Sequence, residues 1–134
     1  MKSLLLALLF SLSMTLPNLA DSATPSKRQH PLAVLISADW CYNCKQIRPK
    51  LAEARKEFGD AIEFISLDVT DDARFAKARG EAERLGIGYL LQGQFATGWV
   101  ALVDRSGHKV DELHQQMSVD QMQEALRRLA AAPG

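Results

Sequence analysis

The sequence predicts an α/β domain built on a central mixed four-stranded sheet flanked by helices, in the order β-α-β-α-β-β-α. Three observations carry this. A short, wholly apolar run opens the folded part; helical periods and strand-like runs then alternate; and two late strands are separated only by the turn Asp104-Arg105-Ser106-Gly107. Alternating strand and helix implies a right-handed parallel crossover, and the late pair implies an antiparallel edge on the same sheet.

The opening run, Leu32-Ala33-Val34-Leu35-Ile36, reads as a strand covered on both faces. From about Cys41 to Phe58, Ile47, Leu51, Ala54 and Phe58 recur at helical spacing, and Gly59 supplies a stop. Ile62 to Val69 is rich in β-branched and aromatic residues and reads as the second strand. Asp71 or Asp72 can cap a second helix that places Phe75, Ala78, Ala82 and Leu85 on one face before Gly86. Gly88 to Gly98 has three glycines and no period, and is expected to be a loop. Trp99 to Val103 and Lys109 to Leu113 form the hairpin. Ser118-Val119-Asp120-Gln121 has the spacing of a capping box, opening a last helix to about Ala131 that buries Val119, Met122, Leu126 and Leu129.

Before this domain, residues 32–134, lies a different kind of sequence. Lys2, the apolar run Leu4 to Leu16, Pro17 and the small residues around Ala20 to Ala23 have the layout of a secretory signal peptide, assigned to residues 1–22 with cleavage near Asp21. The run is shorter than the roughly 20 apolar residues of a bilayer span, so an uncleaved membrane anchor is the lesser alternative. Residues 23–31 are polar, with two prolines, and are expected to be a flexible lead-in. The chain is therefore expected to be periplasmic or otherwise exported.

Of the 134 residues, 16 are Lys or Arg and 16 are Asp or Glu, with no stretch of one sign. Such a balance leaves no electrostatic footprint for nucleic acid or an anionic membrane, and points to proteins or small thiols as partners of a monomer. The two cysteines, Cys41 and Cys44, stand between the buried strand and a helix start. Backbone N–H groups and the positive end of the helix dipole favour a thiolate there, making Cys41 the nucleophile and Cys44 the resolving thiol. A structural staple is the competing reading, but a disulfide across two intervening residues removes little unfolded-state entropy. Metal chemistry is disfavoured, because His30, His108 and His114 have no ligand spacing, and Lys45 stands where covalent haem attachment needs His. No organic or metal cofactor is called for.

The segment Ser37-Ala38-Asp39-Trp40-Cys41-Tyr42-Asn43-Cys44-Lys45, with Pro49 five residues after Cys44, resembles the active-site segment of the thioredoxin family. The Ala-Asp-Trp-Cys lead-in and Leu67-Asp68-Val69-Thr70-Asp71-Asp72 are most similar to the C-terminal thioredoxin-like domain of the periplasmic reductase DsbD. The resemblance implies a thioredoxin-like fold over most of the mature chain and a thiol-disulfide oxidoreductase tilted towards reducing protein disulfides. It implies redox tuning by Tyr42 and Asn43, a kink at Pro49, and a substrate groove beside Trp40, Thr97 and Gly98. Trp40 could equally be core.

Three departures stand out. The family's buried acid and its lysine partner map to Leu35 and Ser66, so both charges are absent together. Asp39 is then the nearest substitute proton acceptor for Cys44, against the reading of a solvated carboxylate. The family's cis-proline maps to Gly98 after Thr97, where a trans bond is expected because a non-proline cis bond costs about 2.5–4 kcal/mol. Tyr89 to Thr97 reads as an insertion before that point. The functional expectation is thiol-disulfide exchange with protein substrates and a separate redox partner. A disulfide oxidase or isomerase, or a binding module with incidental cysteines, are the alternatives.

Overall fold

The computed structural model describes residues 27–133. Its elements are β1 (Leu32–Ser37), α1 (Tyr42–Ala54), β2 (Glu63–Asp68), α2 (Asp72–Arg84), β3 (Trp99–Val103), β4 (Lys109–His114) and α3 (Val119–Ala131). The sheet order is β2-β1-β3-β4, with β1 and β2 parallel and the pairs β1/β3 and β3/β4 antiparallel.

All six residues of β1 are buried, as a central strand with helices on both faces requires. Its alternating side chains divide the core. Ala33 and Leu35, with Val100 and Leu102 of β3, pack against Ile47 of α1 and Met122, Leu126 and Leu129 of α3. Leu32, Val34 and Ile36, with Ala101 and Val103, face Ala78 and Ala82 of α2. Two helices thus cover one face of the sheet and one the other. The opposing burial locks the β1 register, since a one-residue slip would exchange the two sets.

Helix ends follow local chemistry. The Asp71 carboxylate accepts the Arg74 N–H at 2.9 Å to cap α2, and the reciprocal capping box of Ser118 and Gln121 opens α3. The first helix ends at Ala54, short of Phe58, because the chain tightens into 3₁₀ turns over Arg55–Glu57 and Gly59–Ala61. That tighter winding changes the phase and still delivers Phe58 to the core. Pro49 lies inside α1.

Three further expectations are corrected. Gly88–Leu91 is a 3₁₀ turn, not plain loop; such a turn is too short to show a period, yet it buries Leu90 and Leu91 against α2. Val119 is only half-buried, while Ala125 takes a core position in α3. The last residues of the lead-in are tied down: Arg28 N–H donates to Arg105 O at 3.0 Å, Arg105 Nε donates to Gln29 O, and Glu63 N–H donates to Pro31 O. The proposed leader, residues 1–22, lies outside the described residues. No helix among the described residues is long and apolar enough to cross a membrane.

Candidate active site

The site lies where β1 runs out and α1 begins. Cys41 is the N-cap of α1, in extended conformation, and its Sγ accepts the Cys44 N–H at 3.1 Å. No acidic residue occupies the first turn of α1, so the positive end of the dipole is left for sulfur. Cys41 and Cys44 are joined as a disulfide with their Cα atoms 5.3 Å apart. Cys41 retains 5 % exposure and Cys44 none, so attack from solvent must come at Cys41. Ala38 and Val69 pack around the pair. Ile36 O lies 3.9 Å from Cys44 Sγ, the acceptor that a reduced Cys44 thiol would face.

Gly98 closes over the pair from the start of β3. Its φ is +85°, and a Cβ placed there would overlap Asn43 Cβ and lie 3.1 Å from Cys41 Sγ. Glycine is the residue that tolerates both demands. The Gly98 N–H donates to Ile36 O at 2.8 Å, pinning the backbone across the disulfide. No cis peptide bond occurs among the described residues, so Thr97–Gly98 is trans. Thr97 is half-buried beside it.

A disulfide at a helix N-cap, under a backbone crossing from the third strand of a β2-β1-β3-β4 sheet, agrees with what comparison with known proteins finds. Residues 22–80 match the thioredoxin family model. In shape, the chain overlays a thiol:disulfide interchange protein of the thioredoxin family from Chlorobium tepidum with a TM-score of 0.54, at 16% identity, covering 76% of this chain and 81% of that one. It overlays thioredoxin 2 of Pseudomonas aeruginosa with a TM-score of 0.52, at 19% identity, covering 78% and 82%. The chain has the thioredoxin fold.

In sequence, the thioredoxin-like chain is 23% identical over 114 residues to the thiol:disulfide interchange protein TxlA of Synechococcus elongatus, covering 70% of this chain and 60% of that protein. A TxlA homolog of Synechocystis is 36% identical over 50 residues, covering 37% and 28%. The chain therefore spans less than two thirds of the length of these relatives.

Around the cysteine pair, the neighbouring side chains have partners of their own. Trp40 is 65 % exposed and is not core; its indole N–H donates to Thr70 O at 3.1 Å. Tyr42, next in the chain after Cys41, is also exposed. The Asp39 carboxylate is exposed and pairs with Arg74 of α2 at 2.7 Å. Leu35 and Ser66 are cross-strand partners in β1 and β2, Leu35 in the core and Ser66 bonded to the buried Ser37 hydroxyl at 3.0 Å. The two positions of the absent charge pair are thus held by a core leucine and an exposed serine.

Sequence reasoning missed Asp68, Thr70 and Arg74. Asp68 Oδ1 accepts from both the Thr70 N–H and the Thr70 hydroxyl. The Thr70 hydroxyl bond chiefly holds the Asp68 carboxyl below the ordinary aspartate range; desolvation opposes it, and the Thr70 N–H, Arg74 and Arg48 add to it. Arg74 is held more firmly protonated, chiefly by its bond to Asp39. The Asp68-Val69-Thr70 spacing, an acceptor side chain two residues before a backbone donor, is the turn signal that could have marked this loop.

Proposed function

We propose that the chain is a thiol-disulfide oxidoreductase that reduces protein disulfides in an exported compartment, the periplasm. One observation carries the reading: Cys41 caps α1 with its sulfur on the Cys44 N–H, and is the member of the pair open to solvent. In the reduced state that N–H stabilises a Cys41 thiolate. The thiolate attacks one sulfur of a substrate disulfide, forming a mixed disulfide and expelling a substrate thiolate that takes a proton from water. Cys44 then loses its proton to solvent and attacks Cys41 Sγ, releasing the second substrate thiolate. Two electrons have passed to the substrate, and the pair is left as the Cys41–Cys44 disulfide. A dithiol partner must return them, with no organic or metal cofactor.

The direction of transfer is supported by the resemblance of the Ala-Asp-Trp-Cys segment to the C-terminal domain of DsbD, and the exchange chemistry by the names of the TxlA relatives. The protein is read as a monomer acting on proteins, without nucleic acid or stable membrane insertion, its leader removed on export. A second reading, a binding module with incidental cysteines, draws on Gly98 lying across the pair and on the uncharged Leu35–Ser66 position.

Equilibration of Cys41–Cys44 with glutathione or dithiothreitol buffers tests both. A potential near thioredoxin's, about −270 mV, supports a reductant, whereas one near DsbA's, about −120 mV, makes the protein an oxidase. A pair that does not cycle, together with unchanged biological activity in the Cys41→Ser/Cys44→Ser variant, leaves the binding module.

A further inference from the structure

We propose that Thr70 is a positioning residue for this exchange, clamping the Asp39–Trp40 segment so that Trp40 forms a fixed docking face for an extended, disulfide-bearing polypeptide. The inference rests on the redox reading above. Thr70 holds the segment twice: its Oγ1 accepts the Asp39 N–H at 3.0 Å, and its carbonyl accepts the Trp40 indole N–H at 3.1 Å. The hydroxyl has one hydrogen, donated to Asp68 Oδ1 at 2.5 Å, so its lone pairs face Asp39. Asp68 also takes the Thr70 N–H at 3.0 Å, which sets both the backbone and the hydroxyl of Thr70. Arg74 braces the outside, reaching Asp39 at 2.7 Å, Asp68 at 3.6 Å and Asp71 at 3.5 Å.

The clamp does not serve the core. The Trp40 ring is largely exposed, so holding it costs side-chain entropy without burying the ring. An ordered exposed aromatic immediately before the attacking cysteine instead removes that ordering cost from substrate docking. Tyr42 is exposed immediately after Cys41, and the Gly98 backbone lies against Cys41 Sγ. The two exposed aromatics that bracket Cys41 in the chain give a polypeptide apolar surface to lie against. A small disulfide has no chain to lay against Trp40, so its reduction depends little on how firmly that ring is held.

Thr70→Val removes the hydroxyl and keeps the carbonyl and shape. With the wild-type protein as reference, insulin serves as the protein disulfide and glutathione disulfide as the small one. Thr70→Val should lower kcat/KM on insulin about five- to tenfold through KM, the loss of a net hydrogen bond or two. It should leave glutathione disulfide kinetics and the redox potential within about twofold of wild type, and Thr70→Ser should restore insulin kinetics. Equal losses on both substrates, a shifted potential, or no change on insulin would overturn the proposal. Nitrogen-15 NMR of the Trp40 indole, assigned with Trp99→Phe, separates the clamp from the chemistry. If wild type reduces neither substrate, the redox reading fails; if the Trp40 resonance and its hydrogen exchange are unaltered in Thr70→Val, the clamp itself fails.

Discussion

The two flanks of the cysteine pair are built from opposite materials. Outward lies a polar lattice of exposed Asp39 and Arg74 and half-buried Asp68 and Thr70, joined by hydrogen bonds and ion pairs. Inward, Cys44 is fully buried with Ile36 O 3.9 Å from its sulfur, Leu35 lies in the core, and the buried Ser37 hydroxyl bonds that of the exposed Ser66. The contrast separates two tasks. Exposed polar groups can orient a segment at little desolvation cost, while the apolar interior holds the disulfide by shape.

The interior should be the less forgiving flank. Leu35→Asp would bury a carboxylate without its lysine partner and remove core packing, destabilising the fold by about 3–5 kcal/mol at neutral pH in urea titrations. Burial raises the folded pKa of that new carboxyl above its unfolded value, so the loss should shrink as pH falls towards about 4 and grow as pH rises. Adding Ser66→Lys should recover part of it. If the single variant unfolds at the wild-type urea midpoint, the inner flank is not closed as described.

Gly98→Ala should come next, costing about 2–3 kcal/mol, because the new Cβ meets Asn43 and Cys41 while the backbone stays at positive φ. Urea midpoints read the stability, and the rate of pair reduction by dithiothreitol reads the crowding at Cys41. A wild-type value of both would mean that the strand does not press on the disulfide.

The smallest effect belongs to the outer flank. Asp68 has a depressed folded pKa, so its contribution is fully present above the unfolded aspartate pKa and is lost as pH falls through the folded value. Asp68→Asn should leave stability nearly unchanged under acid conditions below that window, lower it slightly at neutral pH, and flatten this part of the pH profile. Because the carboxylate is exposed, added salt should narrow the neutral-pH difference. A difference independent of pH would show that shape, not charge, holds the loop.

How legible these flanks were differs in kind. The apolar run of β1, the Asp71 cap and the Ser118–Gln121 box are written within a few neighbouring residues, and each appears where its spacing places it. The cysteines were legible for the same reason, as two thiols within one helical turn of each other shortly after a strand end. Thr70 acts on Trp40 through a backbone carbonyl, and Asp39 meets Arg74 from 35 positions away, so no local period marks either. The Gly88–Leu91 turn escaped because a single 3₁₀ turn leaves no recurrent pattern.

By itself, the sequence determined the order and type of the elements, the placement of Cys41 and Cys44 at a helix start, and the absence of the buried charge pair at Leu35 and Ser66. These depend on periodicity, capping and residue identity, which act over one or two turns of chain. Only the tertiary structure decided that Gly98 lies against Asn43 and Cys41, that Trp40 is held outward on Thr70, and that Asp39 pairs with Arg74. Those contacts join β1 to β3 and to the β2–α2 loop, and they come into being when the two faces of the sheet are packed.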